Sequence, residues 1–286
     1  MLKINFTQKI NVANTAPKND CGGVSVAFKN VDVNKTSEND AFAKETTPNI
    51  DMDSINIYVP GSKVDKVEDI EGVRKNLSEI FERGFLTEEA EAFADKYKKI
   101  LEIKDKDKFI DAAFEQTKKD FGYENVKVEL EKKTHDPKAR GGYVVGTIFI
   151  NPDCGRKEIP KIFAHEFTHM NQEEILIRST PPEKVYEALF KRTMTSKRKV
   201  NTGVARLLAN FRTGYLYEYW KEASPSIKRP LPKNANARAG KYLESYINFE
   251  HPDSYLDKRY LEDFCEKEAY RKGRLMEAIV RYIESS

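Results

Sequence analysis

Long apolar runs are absent from this chain of 286 residues. No stretch of about 18 apolar residues occurs, so the sequence predicts no transmembrane helix. The first residues, Met1 to Phe6, soon give way to polar sequence and lack an apolar segment of signal-peptide length. We therefore expect a cytoplasmic protein, with secretion that uses no cleaved signal left open.

Cysteine is scarce as well. The chain has Cys21, Cys154 and Cys265, an odd number at wide spacing and without a CxxC pair. This pattern indicates neither a zinc ribbon nor a disulfide framework, and reduced thiols are the simpler interpretation. We expect Cys154 to be a small buried hydrophobic residue.

A strong charge of one sign is also missing. The net charge is +3, which is too small to indicate nucleic-acid binding. Residues 183–241 are locally basic, with fourteen Lys or Arg against four Asp or Glu, a local net of 14 − 4 = +10. Nucleic acid, an anionic membrane or an acidic substrate would each suit this segment, but a solvated helical face with a linker is favoured. The spacing of Tyr215, Tyr217, Tyr219 and Trp220 favours a core stripe over a base-stacking surface.

The periodicity of apolar residues divides the chain into parts. Residues 1–60 are polar and are treated as a leader of uncertain order, and residues 61–286 form the main domain. Apolar positions at threes and fours predict a helical part over 61–122, with Thr87 as the N-cap of its second helix. Residues 123–178 carry two strands (126–130 and 143–150) followed by a helix at about 158–176. Residues 179–286 are predicted to be helical, so the fold class is α+β and mostly helical, with a small sheet before the 158–176 helix.

One motif carries chemistry: His165-Glu166-Phe167-Thr168-His169, inside the predicted helix at 158–176. Residues four apart lie on one face of a helix, so both imidazoles can reach one metal ion. Glu166 follows the first histidine, where it can act as the general base on a metal-activated water. Only four histidines occur in the chain, and two of them fall in this motif.

A catalytic zinc site needs a third protein ligand. Glu173 and Glu174 occupy the turn after the motif, and no histidine follows until His251, so the ligand must come from a distant part of the chain. On a helical wheel of the C-terminal helix at 254–284, several acids flank the apolar face. The positions left open by this reasoning are Glu262, Asp263, Glu266, Glu268 and His251.

The motif, together with Glu266-Lys267-Glu268-Ala269-Tyr270 near the C-terminus, resembles the gluzincin metallopeptidases. In that clan the third zinc ligand is a glutamate on a later helix, often in an ExxA pattern, which Glu266 and Ala269 match here. The resemblance covers two short motifs and their strand–helix setting. It implies a zincin-like fold, a Zn²⁺ ion held by His165, His169 and Glu266, and Glu166 as the catalytic base. Many relatives carry Asp or Asn where this chain has Tyr270.

The resemblance predicts a zinc metalloendopeptidase that hydrolyses peptide or protein substrates. We expect residues 143–150 to form the edge strand that aligns an extended peptide. Two alternatives remain: an inactive zincin-like scaffold, and a basic interaction protein that acts through 183–241. A donor to the oxyanion of the transition state is also expected, and its candidates are Tyr186, Tyr215, Tyr217, Tyr270 and Arg271.

Overall fold

The computed structural model describes residues 66–134, 139–195, 200–248 and 263–286, and the predicted leader lies outside them. The described residues are mostly helical and belong to one unit of the chain, Thr47–Ser286. The helices are α1 (Ile70–Phe81), α2 (Thr87–Leu101), α3 (Lys106–Asp120), α4 (Ile159–Ser179), α5 (Pro182–Thr195), α6 (Thr202–Ala223), α7 (Ala235–Asn248) and α8 (Phe264–Ser285). The strands are β1 (Glu129–Glu131), β2 (Gly141–Val144) and β3 (Thr147–Ile150).

The three strands form one small sheet in the order β1-β3-β2, directly before α4 in the chain. β3 pairs in parallel with β1 and antiparallel with β2. The prediction of a single edge strand over 143–150 was therefore wrong, because that segment is split between two strands. Val145 and Gly146 both have positive φ angles, 22° and 73°, and make the tight two-residue turn that joins them. In the described sheet β1 and β2 lie at the two edges, and β3 is the central strand.

Helix α4 carries the HExxH motif and is the central helix of the fold. Most of its side chains are buried, and it contacts α3, α6, α7, α8 and the sheet. Phe163 and Phe167 pack on its α3 side against Phe114 and Phe121. A helix buried nearly all round normally carries few polar groups, yet α4 buries several. The motif therefore lies on a helix that packs against α3, α8 and the sheet.

Helix starts follow the sequence with small shifts. Asp69 and Asp105 cap α1 and α3 by accepting hydrogen bonds from Gly72 N and Lys108 N. The prediction of Thr87 as the N-cap of α2 was wrong by one residue. Leu86 takes that position, and its N–H donates to the Glu89 carboxylate at 2.8 Å, which supplies the cap from inside the helix.

Helix α6 buries the face that carries mainly small residues. Its large apolar residues recur at helical spacing from Val204 to Tyr219, and this spacing predicts the helix. The structure buries Ala205, Ala209, Thr213, Leu216 and Trp220 and leaves most of the larger residues exposed. The core stripe predicted for the tyrosines and Trp220 was therefore only partly right, because Trp220 is buried while Tyr215 is exposed. Among the described residues, no helix is both long and apolar enough to cross a membrane.

Candidate metal centre

Helix α4 brings the three charged residues of the motif to one place. His165, Glu166 and His169 offer potential ligand atoms that all lie within 4.8 Å of one another, and this group could hold a metal ion. The Nε2 atoms of His165 and His169 are 3.1 Å apart, and their rings meet edge to face. The one-turn spacing on a helix therefore gives two imidazole nitrogens that point to the same spot.

A fourth residue reaches this position from α8, about 100 residues later in the sequence. The two carboxylate oxygens of Glu266, in the first turn of α8, lie 3.5 Å from Nε2 of His165 and 3.5 Å from Nε2 of His169. Ligand atoms about 2.0–2.1 Å from a tetrahedral ion are about 3.3 Å apart. Separations of 3.1, 3.5 and 3.5 Å therefore fit three ligands of one ion. Glu266 Oε2 is buried and has no hydrogen-bond partner in the structure, as a metal ligand would before its ion is added.

Small residues let α8 come close enough to α4 for this contact. Ala269 is fully buried one turn after Glu266. One turn further on, a Cβ atom added to Gly273 would lie 3.1 Å from the Lys161 carbonyl oxygen and 3.7 Å from Cβ of His165. Small residues at two successive turns therefore allow α8 to approach α4 closely.

The orientation of His169 is fixed by a chain of hydrogen bonds behind it. Nδ1 of His169 lies 2.9 Å from Oε1 of Gln172. The Gln172 amide nitrogen donates to the Cys265 carbonyl and to Glu268 Oε2, both at 2.9 Å. Because the amide nitrogen is held by two acceptors, Oε1 must face the histidine, so Nδ1 carries the proton. Nε2 of His169 is then left as the free lone pair that a metal requires.

His165 is held by an aromatic ring instead. The rings of His165 and Tyr270 meet edge to face with centroids 4.6 Å apart. Tyr270 stands four residues after Glu266, so it projects from the same side of α8, one turn further on. Tyr270 therefore lies directly beside the motif histidine His165.

No match is found to a protein-family model, a curated protein or a solved structure.

The other candidates for the third ligand are engaged elsewhere or lie outside the described residues. Glu268 accepts hydrogen bonds from Arg238 at 2.6 Å and from Tyr242 at 2.8 Å, in addition to the one from Gln172. Asp263 caps α8 by accepting from the backbone N–H groups of Cys265 and Glu266. Glu262 and His251 belong to the part of the chain that the structure does not describe.

Glu166 lies between the histidines and the edge strand β2. A Cβ atom added to Gly141, the first residue of β2, would lie 3.0 Å from Glu166 Oε1 and 2.5 Å from Ile162 Cγ2. Glycine is therefore required for β2 to approach α4 this closely. The Glu166 carboxylate consequently borders the strand along which an extended chain could pair.

The electrostatics of the group tie the acids and the histidines together. Burial lowers the pKa of His169, but the neighbouring Glu266 carboxylate outweighs it and raises the pKa to about 10. Burial raises the pKa of Glu266, but His169 and His165 outweigh it and hold that pKa below its ordinary range. Without a metal ion, His169 and Glu266 together hold a proton. A bound cation would displace that proton. Burial raises the pKa of Glu166 despite the opposing effect of both histidines.

Glu173, one turn after His169, joins three elements to α4. It accepts hydrogen bonds from Tyr143 of β2 at 2.6 Å, from Trp220 of α6 at 2.9 Å and from Tyr246 of α7 at 3.4 Å. Burial raises its pKa to about 7, although these donors oppose the shift. Sequence reasoning found neither this role nor that of Gln172. The position of Gln172, three residues after His169 on a helix, was the available signal.

The predicted oxyanion donors are not gathered at the histidines. Tyr217 donates to the Thr180 carbonyl oxygen, Arg271 pairs with Glu79, and Tyr215 is exposed on α6. Of these candidates, only Tyr270 has a contact with a motif histidine that the structure defines.

Cys154 is buried, as the sequence predicted.

Proposed function

We propose that this protein is a zinc-dependent metallopeptidase. One observation carries the proposal: Nε2 of His165, Nε2 of His169 and the Glu266 carboxylate lie 3.1–3.5 Å from one another. They come from two helices that are far apart in the sequence. Glu166 competes with Glu266 for the third position, since it too lies within 4.8 Å of the histidines. We favour Glu266 because its carboxylate lies 3.5 Å from both nitrogens and keeps a buried oxygen without a hydrogen-bond partner.

The donor set favours zinc. Two imidazoles and one carboxylate are the protein ligands of a common class of catalytic zinc site, which keeps its fourth position open. When bound, zinc supplies Lewis-acid chemistry, polarising a peptide carbonyl and lowering the pKa of water. His165, His169 and Glu266 would hold the ion, and Gln172 would keep the imidazole of His169 in the metal-binding tautomer.

Glu166 and β2 would act on the substrate. The Glu166 carboxylate takes a proton from the attacking water and passes it to the leaving amine, a role that suits a buried acid with a raised pKa. β2 is an edge strand, so backbone groups on its open side can pair with an extended peptide. Gly141 brings that strand next to Glu166, so a peptide paired with β2 would pass the catalytic carboxylate.

The test uses Glu166→Gln, which keeps the size of the side chain and removes the base. Zinc content and cleavage of a mixed peptide library are measured for the wild-type chain, this variant and Glu187→Gln, a control at an exposed acid on α5. We expect Glu166→Gln to retain zinc and to lose cleavage by a factor of about 10² or more, while the control behaves as wild type. Cleavage at the wild-type rate by Glu166→Gln would disprove the mechanism. A wild-type chain that binds zinc and cleaves nothing would favour the inactive scaffold.

A further inference from the structure

Helix α6 has two apolar faces, and only one of them is buried. Its inward face is made of small residues with Leu216 and Trp220. The opposite face carries the apolar stripe, which we define as Val204, Leu207, Leu208, Phe211 and Tyr215. At 100° per residue these five side chains fall within about 100° of one another. All are exposed, Leu207 by 69% and Phe211 by 58%.

This concentration of exposed apolar groups is unusual in the described part of the chain. The other large exposed apolar residues there, Leu86, Val144 and Met194, lie on different elements. Single exposed apolar residues are normal on a protein surface, whereas a contiguous patch marks an interaction site. The stripe runs over three turns, about 17 Å along the helix, and it forms a ridge rather than a groove.

The stretch of sequence that leads into the stripe and carries it has charge of one sign. From Ala188 to Tyr217 the sequence contains no acid and seven basic residues: Lys191, Arg192, Lys197, Arg198, Lys199, Arg206 and Arg212. Three of these seven, Lys191, Arg206 and Arg212, are exposed on α5 and α6. At 100° per residue Arg212 borders the stripe beside Leu208, whereas Arg206 projects from the other side of the helix. The first acids on α6, Glu218 and Glu222, continue the line of the stripe towards the C-terminal end and so mark where it ends.

We infer that the apolar stripe docks on an anionic lipid bilayer surface. Apolar side chains on one helix face with basic residues beside them are the pattern of helices that lie in a membrane interface, where acidic lipids attract the cations. The acids at Glu218 and Glu222 limit contact to the first three or so turns of α6. Docking requires neither the metal nor peptide cleavage, so it stands or falls separately from the proposed function.

Other occupants fit the stripe less well. A second copy of this chain, placed face to face, would bring the basic residues of two helices together. Nucleic acid would pair with the basic groups but would leave Leu207, Leu208 and Val204 without apolar partners. A partner protein would need a groove that matches this ridge, whereas a bilayer accepts a ridge of any shape. The charge and the apolar ridge together therefore favour a lipid surface.

The test is sedimentation of the full-length protein with vesicles of phosphatidylcholine alone or of phosphatidylcholine mixed with phosphatidylserine. Leu207→Gln/Phe211→Gln removes two exposed apolar groups, and Leu86→Gln is the control, since Leu86 is 67% exposed at the N-cap of α2, outside the stripe. We expect binding only to the vesicles that contain phosphatidylserine. The double variant should bind on the order of a hundredfold more weakly, and the control should bind as wild type. Arg212→Gln, which removes the cation that borders the stripe, should weaken binding and reduce its dependence on salt.

Thermal unfolding and sedimentation velocity complete the experiment. We expect the double variant to keep the melting temperature and the oligomeric state of the wild type. The inference is overturned by the absence of vesicle binding at physiological salt, or by a double variant that still binds. A clear fall in melting temperature would show that the chain covers its own stripe. A dimer that dissociates in the double variant would assign the stripe to a second copy, and capture by an acidic protein without vesicle binding would assign it to a protein partner.

Discussion

The sharpest prediction concerns two glutamates that are two residues apart on α8. Glu266→Gln and Glu268→Gln each replace a carboxylate by an amide of the same size. Glu266 lies 3.5 Å from both imidazole nitrogens, whereas Glu268 reaches His169 only through Gln172. If Glu266 is a ligand and Glu268 supports one, the two changes must weaken zinc binding by different amounts.

The expected magnitudes follow from these positions. Zinc held in a protein site contributes an apparent binding free energy of about 10–16 kcal/mol, so an equal share for each of three ligands is about 3–5 kcal/mol. Loss of the Glu266 ligand should therefore weaken zinc on the order of a thousandfold. Loss of a supporting contact behind a ligand typically costs about 10–100-fold, which is the range expected for Glu268→Gln.

Zinc affinity is measured near neutral pH by competition with a chromophoric chelator, and circular dichroism checks that each variant keeps its helices. The reasoning is refuted if Glu266→Gln binds zinc within tenfold of the wild type, or if Glu268→Gln is the weaker binder of the two. In the first case Glu166, or a residue outside the described ranges such as Glu262, becomes the third ligand.

Three further outcomes are expected. Gly141→Ala should lower the free energy of unfolding by about 1–3 kcal/mol through overpacking and should reduce peptide cleavage. Gly142→Ala, with nothing within 4 Å of the added Cβ, should change neither quantity. Urea titration and peptide assays measure the two effects. Gln172→Leu should weaken zinc about 10–100-fold without abolishing it, and a loss as large as that of Glu266→Gln would contradict the outer role assigned behind His169. Burial raises the pKa of Asp120 from 3.8 to about 7, so the folded state binds the extra proton and stability falls as pH rises across that window. Asp120→Asn should remove this slope and gain about 4 kcal/mol above pH 7, which urea unfolding at several pH values would check.

The helices were predictable because their signals are local. Caps at Asp69 and Asp105 and apolar spacing of three and four define α1 and α3, and the motif on α4 needs only helical geometry. The hairpin of β2 and β3 was not predicted, since the segment from Tyr143 to Ile150 reads as one apolar run. Val145, a β-branched residue, takes a positive φ angle there and gives no sign of a turn.

Helix α6 shows why periodicity alone can assign the wrong face. The larger side chains of its outer face dominate the pattern, while the face that packs inward consists mainly of small residues such as Ala205 and Ala209. Small residues are favoured where helices approach closely, so the buried face can be the less hydrophobic of the two. The apolar spacing therefore predicts the helix but does not identify its buried face, and the exposed apolar face is what indicates a binding surface.

The third ligand could not be read from the helical wheel, because angle alone does not say which acid is already engaged. Asp263 is used by the backbone of α8 as its cap, and Glu268 is neutralised by Arg238. Arg238 in turn comes from α7, so no pattern within α8 reveals that pairing. Glu266 is the acid of this group that is buried, lies close to both histidines and keeps an oxygen without a hydrogen-bond donor. Without a metal ion, the charge of this buried carboxylate is balanced by the proton that it helps to hold on His169. A metal ion at the histidines would displace that proton and balance the charge in its place.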